Sequence, residues 1–470
     1  MKTTETTSSS ITTVTMTRRD RVALGLLVSA QFLVMLDTSI LNVALPSIQS
    51  ELGFSPAAVT WVVNSYILAF AGLLLLSGRV ADIFGRRRVF VVGASLFTVG
   101  TLIAATAVNK ELLILGRVVQ GVGAAGLSPA AMSLLLATFP AAHRARAMGA
   151  WGAASTLGGA TGVVSGGVLA GTVGWRAVFL VTVPISLAAI ALARRVLVED
   201  PSGARRTVDW AGAAAVTGAV ITLVHGAVDA VDHAWTSPRV VGLFAVSMVL
   251  MAAFIAIERR DADPLVPVEL FRSRMLRTAT AVALLGGASR ASTFVLIALY
   301  FQQVLAMSPE QAGFAMLPTS LAGFAVSWSV LPRVLGAIGP VRSMVLGLVV
   351  LAAGHLWLAN APTGSAYILA VLPGLLLVAT GVALSFTPTT MVIASAVPAT
   401  HTGLASGLAG ASMQVGGALG TAAFVVIGIS SGRPVEGALD AAGFSAAFTA
   451  AAVVSLLTAA VGATLARPHS

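Results

Sequence analysis

Cysteine is absent from all 470 residues, which excludes disulfides, thiolate metal sites and cysteine nucleophiles. Charge is scarce too: 10% of residues are Asp, Glu, Lys or Arg, and only Lys2 and Lys110 are lysines. The six histidines (His143, His225, His233, His355, His401 and His469) show no ligand spacing. No zinc-binding HExxH, serine-hydrolase GxSxG or phosphate-binding Walker loop occurs. An intramembrane enzyme or an ATP-driven pump needs such a constellation, so neither is expected, nor is any metal or cofactor. Energy is expected to come from an ion gradient.

What is present is apolar surface. Hydrophobic residues make up 57% of the chain and its mean hydropathy is +0.93, more than one soluble core can hide. The net charge of +10 would point to nucleic acid only if the basic residues shared one face, and they sit instead in short loops between apolar runs. Residues 1–17, rich in Thr and Ser, cannot support a core and are expected to be disordered. The apolar stretch after Arg18, Arg19 and Arg21 is too long for a signal h-region and is expected to be retained as a first helix.

Segments able to cross a bilayer lie near 22–46, 57–77, 89–107, 111–138, 147–171, 174–193, 208–228, 239–257, 276–304, 311–332, 343–360, 365–394, 403–430 and 442–466. The predicted class is therefore all-α, with 14 transmembrane helices. With this pairing, 22 Lys/Arg residues fall on one side and four (Lys110, Arg176, Arg239, Arg433) on the other. That alternation predicts both termini in the cytoplasm of a multi-pass inner-membrane protein.

The second half echoes the first. Arg79 to Arg88 aligns with Arg333 to Arg342 at an offset of 254; Ser55-Pro56 recurs as Ser308-Pro309, and Gly158-Gly-Ala-Thr-Gly162 as Gly416-Gly-Ala-Leu-Gly420. Helix one then corresponds to helix nine. The expected organisation is a tail (1–17), a six-helix bundle (18–200), two inserted helices (201–260) and a second six-helix bundle (261–470). Two such repeats rocking about a midplane site is the build of an alternating-access carrier.

Four stretches carry a family resemblance: Leu36-Asp-Thr-Ser-Ile-Leu-Asn-Val-Ala-Leu-Pro46; Gly78-Arg-Val-Ala-Asp-Ile-Phe-Gly-Arg-Arg-Arg88; Leu113 with Arg117, Gln120, Gly121, Gly123, Ala124 and Ala125; and Trp175-Arg-Ala-Val-Phe179 followed by Pro184. They resemble the helix-one, helix-two/three, helix-four and helix-six motifs of the major facilitator superfamily, in its fourteen-helix drug:proton antiporter branch. Gly149, Gly158, Gly162, Gly166 and Gly167 resemble the antiporter motif of helix five, except that Val163 stands where that motif has proline. The resemblance implies export of an amphipathic small molecule, a drug or antibiotic, in exchange for protons across the lipid bilayer; a monomer is expected, although no residue pattern sets the oligomeric state. Proton-coupled uptake or export of a specific metabolite is the alternative, kept open by Val163 and Arg290.

Asp37 is the one carboxylate placed well inside a predicted span, where charge is costly and function is the usual reason for it. Desolvation favours a protonated carboxyl, so Asp37 is a candidate to load and release a proton; a permanently ionised pair with Arg117 is the competing reading. At 1.5 Å per residue the two lie about 13 and 9 Å from the outer surface, so contact is feasible. The resemblance implies proton translocation for Arg117, and a conformational latch for Gly78, Asp82, Gly85 and Arg86; a loop that only obeys the positive-inside rule is the plainer account. The helix-five glycines suit close packing with or without a coupling role.

Arg290, one position from the place the 254 offset assigns to Asp37, is a mid-span cation. It can hold an anionic substrate group, replace a proton site with a fixed charge, or bond to backbone carbonyls. Gln31, Asn42, Asn64, Tyr66, Phe294, Gln302 and Gln414 are the polar and aromatic types that line a mostly apolar substrate cavity.

Overall fold

In a bilayer core no water is available to the backbone, so a crossing segment must satisfy its amides internally. The computed structural model describes residues 16–55, 58–198, 208–261, 263–361, 367–432 and 439–466, and helix is the only regular structure among them. The expected tail (save Met16 and Thr17), the boundary at 200/201, and Lys2, Pro56, Arg205, Arg206, Arg433 and Arg467 lie outside the described residues.

The first six helices are α1 (Arg18–Leu52), α2 (Trp61–Phe84), α3 (Arg86–Ala105), α4 (Lys110–Thr138), α5 (Ala141–Thr172) and α6 (Trp175–Val196). Then come α7 (Trp210–Asp232) and α8 (Pro238–Glu258). The last six are α9 (Arg274–Gln303), α10 (residues 311–338), α11 (residues 340–359), α12 (Leu372–Ser395), α13 (Thr402–Ser431) and α14 (Ala441–Ala463). Thirteen helices among the described residues are long and apolar enough to span a membrane. The 49-residue one, Gln311–Ala359, is broken at Gly339 (φ 75°, ψ 172°) into α10 and α11, which gives the fourteen expected spans. The first helix is longer at both ends than the 22–46 expected, because Thr17 and Asp20 form a capping box and Gly53 closes the other end in a left-handed conformation.

Helices in lipid associate by close packing, and small residues permit it. In the first half Gly93 faces Leu127 N and Gly123 O of α4, and Gly100 faces Gly116 O and Gln120 N. In the second half Gly347 faces Ser385 N and Gly381 O of α12, and Gly354 faces Gly374 O and Val378 N. The α3/α4 crossing is thus repeated by α11/α12, at offsets of 254 and 258. Gly85 (φ 99°) and Gly339 (φ 75°), also 254 apart, occupy matching turns where a positive φ is required.

The α1/α5 crossing is repeated by α9/α13 in a slightly different register. Gly158 rests on Phe32 O and Gly416 on Leu284 O, while Gly162 and Gly420 meet Leu36 and Ala288. That register is 252. It corrects the place expected for the counterpart of Asp37, which is Ser289 rather than Ala291; Arg290 stays one position from it and matches Thr38.

The inserted α7 and α8 pack on each other, and α7 also covers the seam where α2 meets α13. A Cβ on Gly72 of α2 would sit 2.7 Å from Ile221 of α7.

Gly123→Leu is expected to force α3 and α4 apart and to lower stability by at least about 1–3 kcal/mol. Gly171→Leu on α5, where a Cβ would meet no atom within 4 Å, is the control and is expected to be neutral. Thermal unfolding followed by size-exclusion chromatography measures both, and equal melting would contradict a backbone-contact role for Gly123.

Candidate functional site

Two arrangements stand out. The first lies within the first six helices, where α1, α2, α3 and α4 converge. Arg117 Nη1 of α4 donates to Asp37 Oδ2 of α1 at 2.7 Å and to Gln120 Oε1 at 2.8 Å, and its Nε donates to Val62 O of α2 at 3.0 Å. Gln120 Nε2 in turn donates to Asp37 Oδ1 at 3.0 Å and to Thr101 Oγ1 of α3 at 2.8 Å. The Tyr66 ring lies 4.3 Å from the guanidinium carbon, a cation–π contact. All of these side chains are buried, Asp37 and Arg117 to 1% exposure. A buried ion pair persists only when further hydrogen bonds satisfy it, and Gln120 and the Val62 carbonyl supply them.

The second arrangement joins the two halves at the arginine-rich end. Asp82, expected in a loop, instead occupies the last turn of α2, because the chain turns only at Gly85. Its two oxygens accept from the backbone amides of Gly403 and Leu404, both at 2.8 Å. These are first-turn amides of α13, which have no partner within their own helix and where the helix dipole favours an anion. Arg86 donates to Asp82 at 3.3 Å and to Ala399 O at 2.7 Å, and Arg79 donates to Pro264 O at 3.0 Å. Gly78 lies directly on Gly403 and Gly407, so the α2 and α13 backbones touch.

Along the other seam α5 faces α10. Gly149 would place a Cβ 2.7 Å from Ser327 O and Pro332, Gly152 meets Ser327 and Thr387, and Val163 meets Gly313. Of the antiporter-motif glycines, then, Gly149 faces the second half, while Gly158, Gly162 and Gly166 press on α1 and Gly167 only grazes Val43 at 3.9 Å. Within α10, Val326–Val330 is a π-helical turn opposite Gly149.

The Major Facilitator Superfamily model matches residues 27–421. The chain belongs to the Major Facilitator Superfamily. Its curated relatives include the cephamycin export protein CmcT of Amycolatopsis lactamdurans, 38% identical over 88% of this chain and 86% of the relative. Another is the puromycin resistance protein pur8 of Streptomyces alboniger, 34% identical over 93% and 89%. A third is the multidrug resistance protein Stp of Mycobacterium tuberculosis, 34% identical over 84% and 73%. Among solved structures, the human organic anion transporter MFSD10 superposes with a TM-score of 0.70 at 16% identity, covering 95% of this chain and 100% of that one. The POT family transporter PepTSo superposes with a TM-score of 0.62 at 17% identity, covering 95% and 98%. These two likenesses establish the superfamily fold.

The cavity candidates of this superfamily member do not converge. Tyr66 belongs to the Asp37 network. Asn64 lies in a crevice between α2 and Val224 and His225 of α7. Gln302 is exposed and bonds to its own helix at Ala298 O, while Gln414 is half-buried on α13. Gln31 is buried and donates to Ser155 Oγ of α5 at 2.6 Å. Asn42, eleven residues along the same face of α1, is exposed, as is Phe294 on the matching face of α9. A polar residue in a span need not face a cavity when a neighbouring carbonyl or helix can satisfy it.

Two network members escape a sequence reading as site residues. Gln120 carries a usable signal, a mid-span amide one helical turn after Arg117. Thr101 carries none, since threonine hydroxyls in spans ordinarily bond to their own helix, as this one also does with Phe97 O at 2.8 Å.

Arg117→Met leaves the Asp37 carboxylate uncompensated in a dry interior and is expected to lower stability by about 3–5 kcal/mol. Asp37→Asn/Arg117→Met leaves no charge behind and is expected to recover part of that loss; strictly additive melting temperatures would argue against direct coupling.

Asp82→Ala removes the two charge-assisted bonds that cross to α13, each contributing about 1.5–3 kcal/mol, and is expected to let α2 and α13 separate. The natural absence of cysteine makes spin labels at Phe84→Cys and Thr400→Cys selective. A longer distance population in Asp82→Ala is the expected result, and an unchanged distribution would show that other contacts hold this end shut.

Proposed function

We propose that this protein exports an amphipathic small molecule, of the kind that includes antibiotics, across the cytoplasmic membrane in exchange for protons. The observation that supports the coupling is the Asp37 carboxylate, buried in α1 and balanced, among the described residues, by Arg117 and Gln120. A proton arriving at Asp37 cancels the charge that anchors Arg117, leaving the guanidinium to Val62 O and Gln120 Oε1 and loosening α1 from α4. Substrate and proton thereby compete for one conformational equilibrium, which is what exchange requires.

The positive-inside distribution of arginine supports both termini and the α2/α13 contact lying on the cytoplasmic side. With Asp82 holding α13, the described arrangement is closed toward the cytoplasm, and the increasing exposure from Gln31 to Asn42 along α1 accords with access from outside. Halves 18–200 and 261–470 exchange the sides of closure, with the two inserted helices riding on the seam. The names of the relatives, which concern export of or resistance to antibiotics, support the direction and the substrate class. The protein acts as a monomeric carrier without a cofactor, driven by the proton gradient.

The test expresses wild type, Asp37→Asn and Asp37→Glu in an exporter-deficient host and compares survival over a panel of dyes and antibiotics, with membrane levels matched. Wild-type protection that Asp37→Asn loses and Asp37→Glu partly restores is the expected outcome, and collapsing the proton gradient should abolish it. Equal protection by wild type and Asp37→Asn would remove Asp37 as the coupling carboxyl. Substrate accumulation in cells expressing the wild type would replace export with uptake of a metabolite.

A further inference from the structure

The two repeats share their helix crossings but not their charges. By the register of the crossings, Asp37 corresponds to Ser289, Arg117 to Leu375, Gln120 to Val378 and Thr101 to His355. The second half thus lacks the neutralised pair and carries instead one guanidinium, Arg290, at the middle of α9 and 5% exposed. Its Nη1 makes one long bond, 3.4 Å to Ser385 Oγ of α12, and its Nη2 is buried with no partner. Among the described residues it forms no ion pair.

No side chain of the second half can supply the missing charge from within a span. After Asp263 the acidic residues are Glu269, Glu310, Glu436 and Asp440; Glu310 stands in the first turn of the helix that leads into α10, and by sequence position none falls at mid-span. In the first half the single mid-span carboxylate is already held by Arg117 and Gln120. A buried guanidinium is nonetheless accommodated, because Gly286 leaves the space it fills: a Cβ there would lie 2.7 Å from Nη1.

The face of α9 that bears Arg290 is also distinctive. Leu284, Gly287, Ala288 and Ala291 are taken by α13, Ser289 bonds toward α14, and Thr293 bonds to His355 of α11. Arg290 lies on the remaining face, one turn from exposed Phe294, and its counterpart Thr38 shares with Gln31 and Asn42 the matching face of α1.

We infer that Arg290 is the recognition point for an anionic group, a carboxylate or its equivalent, on the transported molecule. The inference rests on the export reading and narrows it: the substrates are organic acids or zwitterions with an apolar body, such as Phe294 can contact, and one acidic group. A guanidinium is suited to this task because its planar donors meet a carboxylate two at a time and it stays charged. The unpaired charge also disfavours entry of an organic cation into the same position.

The probe is benzoate, compared with its uncharged isostere benzamide at constant ionic strength, read as thermal stabilisation of purified wild type, Arg290→Lys and Arg290→Gln in phosphatidylcholine nanodiscs. Benzoate is expected to stabilise the wild type and benzamide not. Its half-saturating concentration is expected to rise roughly tenfold or more in Arg290→Gln, the loss of a charge-assisted contact, and less in Arg290→Lys. Arg290→Gln alone is expected to melt no lower than the wild type, since it relieves an unpaired charge; a lower melting point with unchanged benzoate binding would reassign Arg290 to a structural role. Equal responses to benzoate and benzamide would overturn the inference. So would loss of the benzoate response when phosphatidylglycerol is included, which would assign the guanidinium to a lipid headgroup. Because this readout is binding, failure of dye export with intact benzoate binding would count against the export reading and not against the anion site.

Discussion

Backbone contact at glycine is the constraint on which the rest of this molecule depends. Lipid offers no hydrophobic reward for bringing two helices together, so close approach and the dispersion contacts that follow must supply it. The α3/α4, α11/α12, α1/α5, α9/α13 and α2/α13 contacts all run through glycines whose Cβ would collide with a neighbouring backbone. These contacts fix α1, α3 and α4 closely enough that short side chains, Asp37, Thr101 and Gln120, meet Arg117 and one another directly. The polar network is therefore a consequence of the apolar packing, and widening the α3/α4 crossing would part Thr101 from Gln120.

The repeats show how one scaffold can hold two chemistries. Glycines at offsets of 254 and 258 preserve the crossings, while the residues they position have diverged into a compensated pair on one side and an uncompensated cation on the other. A neutral pair can change state by gaining a proton. A lone guanidinium can change state only by meeting an anion. On the proposed reading, placing these in opposite halves separates coupling from recognition, so that either can vary without disturbing the other.

Much of this is legible in the sequence, for identifiable reasons. Fourteen spans follow from apolar length and from arginine alternation, and even the Gly339 break falls where the repeat of the Gly85 turn requires it. Contact of Asp37 with Arg117 is accessible from depth alone, because both helices run nearly the full bilayer thickness. The register of α9 against α1 is not: the 254 offset comes from the turn beside α2, and the crossing glycines set it at 252 instead, which pairs Arg290 with Thr38 rather than with Leu36. Nor can periodicity separate residues facing the midline from those facing an inserted helix, so Asn64 and Gln302 fall into one group with residues they do not approach. Asp82 shows a third limit. Its partners on α13 are backbone amides, which nearly every residue possesses, so no pattern in the partner sequence announces them.

That last choice of partner has an energetic consequence for the proposed cycle. Two charge-assisted bonds to helix-end amides are together worth about 3–6 kcal/mol in a partly buried setting. One elementary charge crossing the membrane releases about 2.3 kcal/mol per 100 mV, to which any pH difference adds about 1.4 kcal/mol per unit. The two scales match. A latch built from a buried pair of the Asp37–Arg117 kind would expose two charges when opened, one from each half. Amides at the start of α13 are uncharged when released and return to ordinary hydration at the membrane surface, so opening exposes only the Asp82 carboxylate, which keeps Arg86 four residues away on the adjoining turn. In the proposed cycle, anchoring the closed state on a helix terminus would make a gate strong enough to hold one orientation and weak enough for a single coupling event to reverse it.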